Sequence, residues 1–226
     1  MESHAPLNPV LVGLEVADDP TVWRAAGFHV DDDGTCRIGS VLISLVGRGP
    51  GRGIRSWTLA GASLRSTEVD GVVTAAATPP DAGTSGPAGA AHPNGALVID
   101  HVVMTTPDPD RTLTAIEAIG GVHRRTRLAD GYDRPMRQDF FRLGEVILEL
   151  IGPRQPDPAH RHRPARLYGL AHTVTDLDAT AAVLGPLLTT PKDAVQPGRR
   201  IATMRTRDIA MSVPTAFMSR GAAAVA

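Results

Sequence analysis

An α+β protein made of tandem βαβββ modules is the expectation from three recurring features: short apolar strand patterns, an Asp at a fixed interval after each, and Gly- or Arg-containing hairpins with polar residues in matching places. The opening strands are "LVGLEVADDP" (11–20), "HVVMTTPDPD" (101–110) and "GLAHTVTDLD" (169–178), with Asp18, Asp108 and Asp176 each seven residues on. The hairpins are "TCRIGSVLISLVG" (35–47), "FFRLGEVILELIG" (140–152) and "TMRTRDIAMSVPT" (203–215). Arg37, Arg142 and Arg205 precede the turns, and Ser44, Glu149 and Ser212 follow them at equal distances.

A helix is predicted between strand and hairpin in each copy. In the middle copy Leu113, Ile116 and Ile119 recur every three residues, which is one face of a helix. In the first, Asp18 or Asp19 can cap the helix and Pro20 suits its first position. Gly27, Gly120 and Gly185 are suited to close the three helices. An eroded fourth copy runs from "GIRSWTLAG" (53–61) to "GVVTAAAT" (71–78). Such units pair edge to edge into curved mixed sheets with helices on the outer face, and the concave face becomes a small-molecule cup.

Residues 78–96, "TPPDAGTSGPAGAAHPNGA", have little to bury and read as a linker or long surface loop. The expected organisation is a degenerate N-terminal region (1–77), this linker, paired modules over 97–218 (97–153 and 166–217), and a frayed tail (219–226).

Composition narrows the function. A net charge of −1 with no basic stripe excludes nucleic acid and anionic membrane as partners, leaving a small-molecule ligand and a monomer or homodimer. The one cysteine, Cys36, rules out an internal disulfide and a Cys-based zinc cluster, as suits a reducing cytosol. No apolar run is long enough to span a bilayer and no export signal is recognisable, so a cytoplasmic location is expected.

One acid stands out. Glu149 lies among Val146, Ile147, Leu148, Leu150 and Ile151, where a carboxylate costs several kcal/mol unless it is partnered. With Gly144 and Glu145 as the turn, Leu143 pairs with Val146, Arg142 with Ile147, Phe140 with Glu149 and Gln138 with Ile151. Alternation then places Gln138, Phe140, Arg142, Ile147 and Glu149 on the cup face, and Phe141, Leu148 and Leu150 under the helix. His101, Val103 and Thr105 share the cup face, as do Gly169, Ala171, Thr173, Thr203, Arg205, Ala210 and Ser212 in the last copy. His101 and Glu149 are therefore candidates for catalytic acid/base work or for metal ligation. Gln138, Phe140, Arg142, Arg205 and Ser212 are candidate substrate contacts, the arginines for an anionic oxygen.

The pattern "IDHVVMTTPDPDRTLTAIEAIG" followed by "MRQDFFRLGEVILELIGP" resembles the vicinal oxygen chelate superfamily, which includes glyoxalase I, extradiol dioxygenases, methylmalonyl-CoA epimerase and bleomycin-resistance proteins. The resemblance implies a lyase, isomerase or dioxygenase acting on an oxygenated organic substrate. The alternative it carries is a non-catalytic binder of the bleomycin-resistance type. It also implies one divalent metal ion (Fe, Ni, Zn or Mn) at the family's ligand positions, here His101 and Glu149. The last copy has Gly169 and Ser212 at those positions and the first has Leu11 and Ser44, so two ligands are found where three are usual.

The remaining candidates have plainer expectations. His172 points to the helix side as a core histidine, and Tyr168 is expected to pack away from the cup. His160 and His162 lie in a Pro-rich connection and should be solvated. "DGYDRPMRQ" (130–138) is a loop able to close over a ligand, and "GRGPGRG" (47–53) lacks the Lys-Ser/Thr of a phosphate loop.

Overall fold

The computed structural model describes residues 8–49, 51–78, 90–130 and 134–221. In chain order the elements are β1 (Val10–Val16), α1 (Pro20–Ala25), β2 (Thr35–Ile38), β3 (Val41–Leu45), β4 (Ile54–Ala60), β5 (Glu68–Val69), β6 (Val72–Ala77) and β7 (Ala96–Thr105). Next come α2 (Pro109–Ala118), β8 (His123–Ala129), β9 (Met136–Leu143), β10 (Val146–Pro153), β11 (Arg166–Val174), α3 (Leu177–Leu184), β12 (Lys192–Asp193), β13 (Arg200–Thr203) and β14 (Thr215–Met218). The hydrogen-bonded order is β2-β3-β1-β4-β6-β5 in one sheet and β12-β13-β14-β11-β7-β10-β9-β8 in the other. The α+β βαβββ architecture expected from the repeats is thus present. The eroded fourth copy consists of strands alone: β4 pairs parallel with β6, and β5 antiparallel with it.

The chain divides into two compact units that interleave along the sequence. One contains residues 8–14, 54–78, 101–130 and 134–168; the other contains 15–49, 51–53, 90–100 and 169–221. Of the Pro/Gly/Ala-rich segment, residues 79–89 lie outside the described residues, as do 131–133 of the 130–138 loop and 222–226 of the tail.

In the first unit, β9 and β10 form a hairpin around Gly144, whose φ of 70° is open to glycine without a Cβ penalty. Phe141, Leu148 and Leu150 are buried on the face that α2 covers. Asp108 caps α2 by accepting from the Arg111 N–H, and Pro109 occupies the first helical position. Ile116 and Ile119 are buried, the outcome their spacing predicts. Gly152 lets α2 approach, because a Cβ there would lie 2.5 Å from Pro109 Cγ and 2.8 Å from the Thr106 carbonyl.

Arg111 also fixes the connection that leads out of β10. Its Nε lies 2.7 Å from Asp70 Oδ1, and its guanidinium donates to the carbonyls of Arg161 and Arg163. Arg161 in turn donates twice to buried Asp108 at 3.0 and 2.7 Å. The 157–166 connection is therefore tied to α2 along its length rather than loose.

In the second unit, Asp19 caps α1 by accepting from Thr21, and the β2–β3 hairpin pairs Ile38 with Val41 and Thr35 with Ser44. That register reproduces β9–β10, with Ser44 where the middle copy has Glu149. The core holds Trp23, Phe28, His172 and Phe217, with His172 fully buried and its ring 5.1 Å from Phe28 and 5.7 Å from Phe217. His172 is thus the core histidine that alternation predicts. Asn94 is also fully buried; it donates to the Ala26 carbonyl, accepts from the Ala96 N–H, and its own carbonyl accepts from Thr180. Among the described residues no helix is long and apolar enough to cross a membrane.

Two titratable side chains of this unit carry measurable consequences. Burial pushes the Cys36 thiol up to about 12, with the Asp31 charge adding to it. Cys36 is expected to resist a thiol-labelling reagent at neutral pH in the native protein and to react at once in denaturant, read by mass spectrometry. Burial lowers the pKa of His92 from its ordinary 6.5, against the opposing hydrogen bond to the Arg37 carbonyl. Nδ1 accepts from the His29 N–H and Nε2 meets the Arg37 carbonyl at 3.0 Å, which fixes a neutral ring with its proton on Nε2. The unfolded chain binds this proton more readily, so the stability tied to His92 is complete above pH 6.5 and is lost as pH falls from there toward the lowered value. Thermal melts from pH 8 to pH 5 should show that loss, and it should shrink in His92→Asn.

Candidate functional site

The site begins with the hairpin register, which matches expectation at each pair: Leu143 with Val146, Arg142 with Ile147, Phe140 with Glu149 and Gln138 with Ile151. β10 runs parallel to β7, pairing Glu149 with Val103 and Ile147 with His101. Neighbouring residues on paired strands share a face, so His101, Gln138, Phe140, Arg142 and Glu149 emerge on one side of the sheet.

There they form a row of polar groups across four consecutive strands. Arg127 of β8 donates from Nε to Gln138 Oε1 at 2.5 Å. Gln138 of β9 donates from Nε2 to Glu149 Oε1 at 2.9 Å. Glu149 of β10 presents Oε2 to His101 Nε2 of β7 at 3.5 Å. Arg can only donate, so the Gln138 carbonyl must face Arg127 and its NH₂ must face Glu149. The amide orientation is thus set by chemistry, and one carboxylate oxygen is held while the other is directed to the imidazole. Gln138 is buried, and the His101 and Glu149 side chains are only 15% and 12% exposed. A carboxylate so shielded needs these partners, because each hydrogen bond to a charged group contributes about 1.5–3 kcal/mol.

Arg127 was not foreseen. Its signal was available in "HRRTRLA", where alternation along a strand beside β9 puts Arg125 and Arg127 on one side. Phe140 is buried, and the Arg125 guanidinium lies 4.5 Å from its ring centroid. Arg142 is exposed; with Arg124, Arg125, Phe140 and Ile147 it lines a cavity of about 290 Å³.

The last copy departs from expectation. Arg205 and Ser212 belong to the second unit, and neither is in a hairpin strand. β13 ends at Thr203, exposed Arg205 precedes a 3-10 turn at Thr206–Ile209, and Ala210 adopts a left-handed φ of 59°. β14 begins only at Thr215 and pairs Ala171 with Ala216. Ala216, not Ser212, is therefore the counterpart of Glu149, and the matched spacing of 203–215 with 140–152 does not reflect a shared register. Ser212 is instead held in a turn: its N–H donates to buried Asp18, and its Oγ accepts from the Gly53 N–H at 2.7 Å. Asp18 also takes the Trp23 indole N–H at 3.2 Å. Tyr168, expected to pack, is 54% exposed.

Gly169, the counterpart of His101, is closed to a side chain. A Cβ there would stand 2.7 Å from the Pro214 carbonyl oxygen, which accepts the Leu170 N–H. Among the described residues no group of three or more His, Cys, Asp or Glu is arranged to hold a metal, and Glu149 Oε1 is already engaged by Gln138. His101 and Glu149 alone do not fit the usual three-ligand site.

Residues 100–201 match the family model of the Glyoxalase/Bleomycin resistance protein/Dioxygenase superfamily. No curated protein matches the chain. A mutant of 4-hydroxymandelate synthase from Streptomyces coelicolor superposes with a TM-score of 0.63 at 15% identity, over 94% of this chain and 93% of that one. A xylose isomerase-like TIM barrel/4-hydroxyphenylpyruvate dioxygenase fusion protein gives 0.61 at 11% identity, over 99% of this chain and 51% of that one. At these identities the likeness is one of fold.

Gly169→Ala should destabilise the protein by about 1–3 kcal/mol, because backbone, not a movable side chain, meets the new methyl group. Urea unfolding monitored by circular dichroism measures it. A neutral result would mean that the Gly169 position is open after all.

Proposed function

We propose, for a chain whose residues 100–201 belong to the Glyoxalase/Bleomycin resistance protein/Dioxygenase superfamily, an enzyme that moves a proton on a small oxygenated organic substrate, with Glu149 as base and His101 as its partner. The observation that carries this reading is the Arg127–Gln138–Glu149–His101 row. A carboxylate shielded from water, with one oxygen restrained and the other facing an imidazole on an open sheet face, is suited to take a proton from carbon next to a carbonyl. A proton delivered from His101 to the opposite face of the same carbon gives epimerisation; one delivered to a neighbouring atom gives isomerisation, and one delivered to a group departing from the adjacent carbon gives elimination. Positioned acid–base groups of this kind contribute about 10²–10⁴-fold in rate.

The substitution pattern among the copies supports the same reading. The β2–β3 hairpin keeps the register with Ser44 in place of Glu149, and β14 has Ala216 there, so folding does not call for an acid at this place. No step is assigned to a metal.

The test uses the full chain in D₂O with a panel of small carbonyl compounds that carry an α-proton, and follows deuterium uptake by ¹H NMR. The wild type should catalyse exchange on one class of compound, and Glu149→Gln should lose about 10²-fold or more, as should His101→Asn. Exchange undiminished in Glu149→Gln would remove the base from the scheme. Tight binding without exchange in the wild type would favour the sequestration reading of the bleomycin-resistance kind.

A further inference from the structure

Along β10 the residues on the open face are Ile147, Glu149 and Ile151. Ile147 borders the smaller cavity, beside Phe140 and Arg142. Ile151 borders a larger one, of about 590 Å³, within the range of small-ligand pockets. Thr105, Met136 and Ile151 contribute to its floor, which is the continuation of the face that carries His101 and Glu149. Arg134, Arg163 and Arg166 stand around it.

Those three guanidiniums make no ion pair among the described residues, whereas Arg111, Arg137, Arg154 and Arg161 of the same unit each engage an aspartate. Asp157, the acid on the cavity wall, is occupied locally: Oδ2 meets His160 Nδ1 at 2.6 Å and Oδ1 accepts from the Ala159 N–H at 2.9 Å. The wall therefore carries an excess of positive charge over an apolar floor. It is also a built wall. Arg111 donates to the Arg163 carbonyl at 2.7 Å, Arg161 is tied to Asp108, and Ala165 N–H donates to the Asp70 carbonyl at 2.9 Å. Arg154 N–H donates to the Pro135 carbonyl at 3.0 Å beside Arg134. The hydrogen bond to His160, with the charge of Arg134 on the same wall adding to it, holds the Asp157 carboxyl below its usual range. The exposed guanidiniums of Arg163 and Arg166 meet no carboxylate at ion-pair distance among the described residues and stand where a ligand can supply one, since guanidinium forks pair best with planar or tetrahedral oxyanions.

We propose that this cavity binds an amphipathic organic anion, its carboxylate or phosphate head among Arg134, Arg163 and Arg166 and its apolar body on Met136 and Ile151. Ile151 is two residues from Glu149 on one strand, about 7 Å. An anchored head of this kind places the rest of the molecule at the acid–base row. That the anion is the substrate rests on the proposed role of Glu149; that the cavity takes an anion does not.

The experiment is ¹H–¹⁵N NMR titration of the full chain with hexanoate, hexyl phosphate and hexanol. Both anions should shift the amides of Thr105, Ile151, Arg163 and Arg166, with hexanol at least tenfold weaker. Stronger binding of hexyl phosphate than of hexanoate would identify a phosphate head, and the reverse a carboxylate. The double variant Arg163→Gln/Arg166→Gln should weaken anion binding at least tenfold and leave hexanol binding and the melting temperature unchanged, because the backbone carbonyl that Arg111 grips is retained. Equal affinity for hexanol, shifts mapping elsewhere, or anion binding unaffected by the variant would each overturn the proposal. Anion binding without any deuterium exchange would leave the cavity assignment standing and remove the role of Glu149.

Discussion

The register of the β9–β10 hairpin governs the rest of the site. Because side chains alternate with a period of two, a one-residue slip would turn Glu149 and Gln138 into the layer beneath α2 and push Phe141, Leu148 and Leu150 out to water. Two forces oppose that slip together. The apolar residues lose their burial, and Glu149 loses its hydrogen bond to Gln138 while Asp139, buried on the other face with Arg137 and Thr126, is torn from its own partners. Gly144, at a φ that other residues adopt only with strain, sets the turn from which the count begins.

From that register the polar row arises with little freedom. Four consecutive strands each contribute one side chain, and donors and acceptors fall in an order that allows a single arrangement of the Gln138 amide. A shielded charge is ordinarily a liability, and here it is balanced by distribution over an amide, an imidazole and a distant guanidinium. The same strand that holds the row extends at either end into arginine-rimmed cavities.

The copies have diverged by backbone as much as by side chain. At Gly169 the Pro214 carbonyl fills the space that a side chain would need, and the segment before β14 is a 3-10 turn rather than a strand. Ser212 has been drawn into the hydrogen bonding of Asp18, whose own burial is satisfied by Trp23 and by the Ser212 N–H. A second set of ligands or catalytic groups in that copy would require rebuilding the loop, not only exchanging residues.

Local chemistry made much of this legible in advance. The Asp-Pro opening announced α1, the Leu113–Ile116–Ile119 spacing announced α2 and found buried Ile116 though Leu113 is only half-buried, and the Gly-Glu turn gave the β9–β10 register, hence the shared face of Gln138, Phe140 and Glu149. These depend on neighbours within a few residues or on a strict period, so one chain suffices to read them. The features that the sequence could not yield came from segments far apart in the chain. Arg127 joined the row only through the pairing of β8 with β9. Ser212 left its expected strand because Asp18, almost two hundred residues away, offered its N–H a buried acceptor. The segment that carries Arg163 and Arg166 to the large cavity is anchored by Arg111 and Asp70, through backbone bonds that no periodicity encodes. Sequence determined the modules and which face each strand presents; tertiary structure decided which of the repeated positions kept room, partners and charge for chemistry, because steric space and hydrogen-bond satisfaction are properties of what packs alongside.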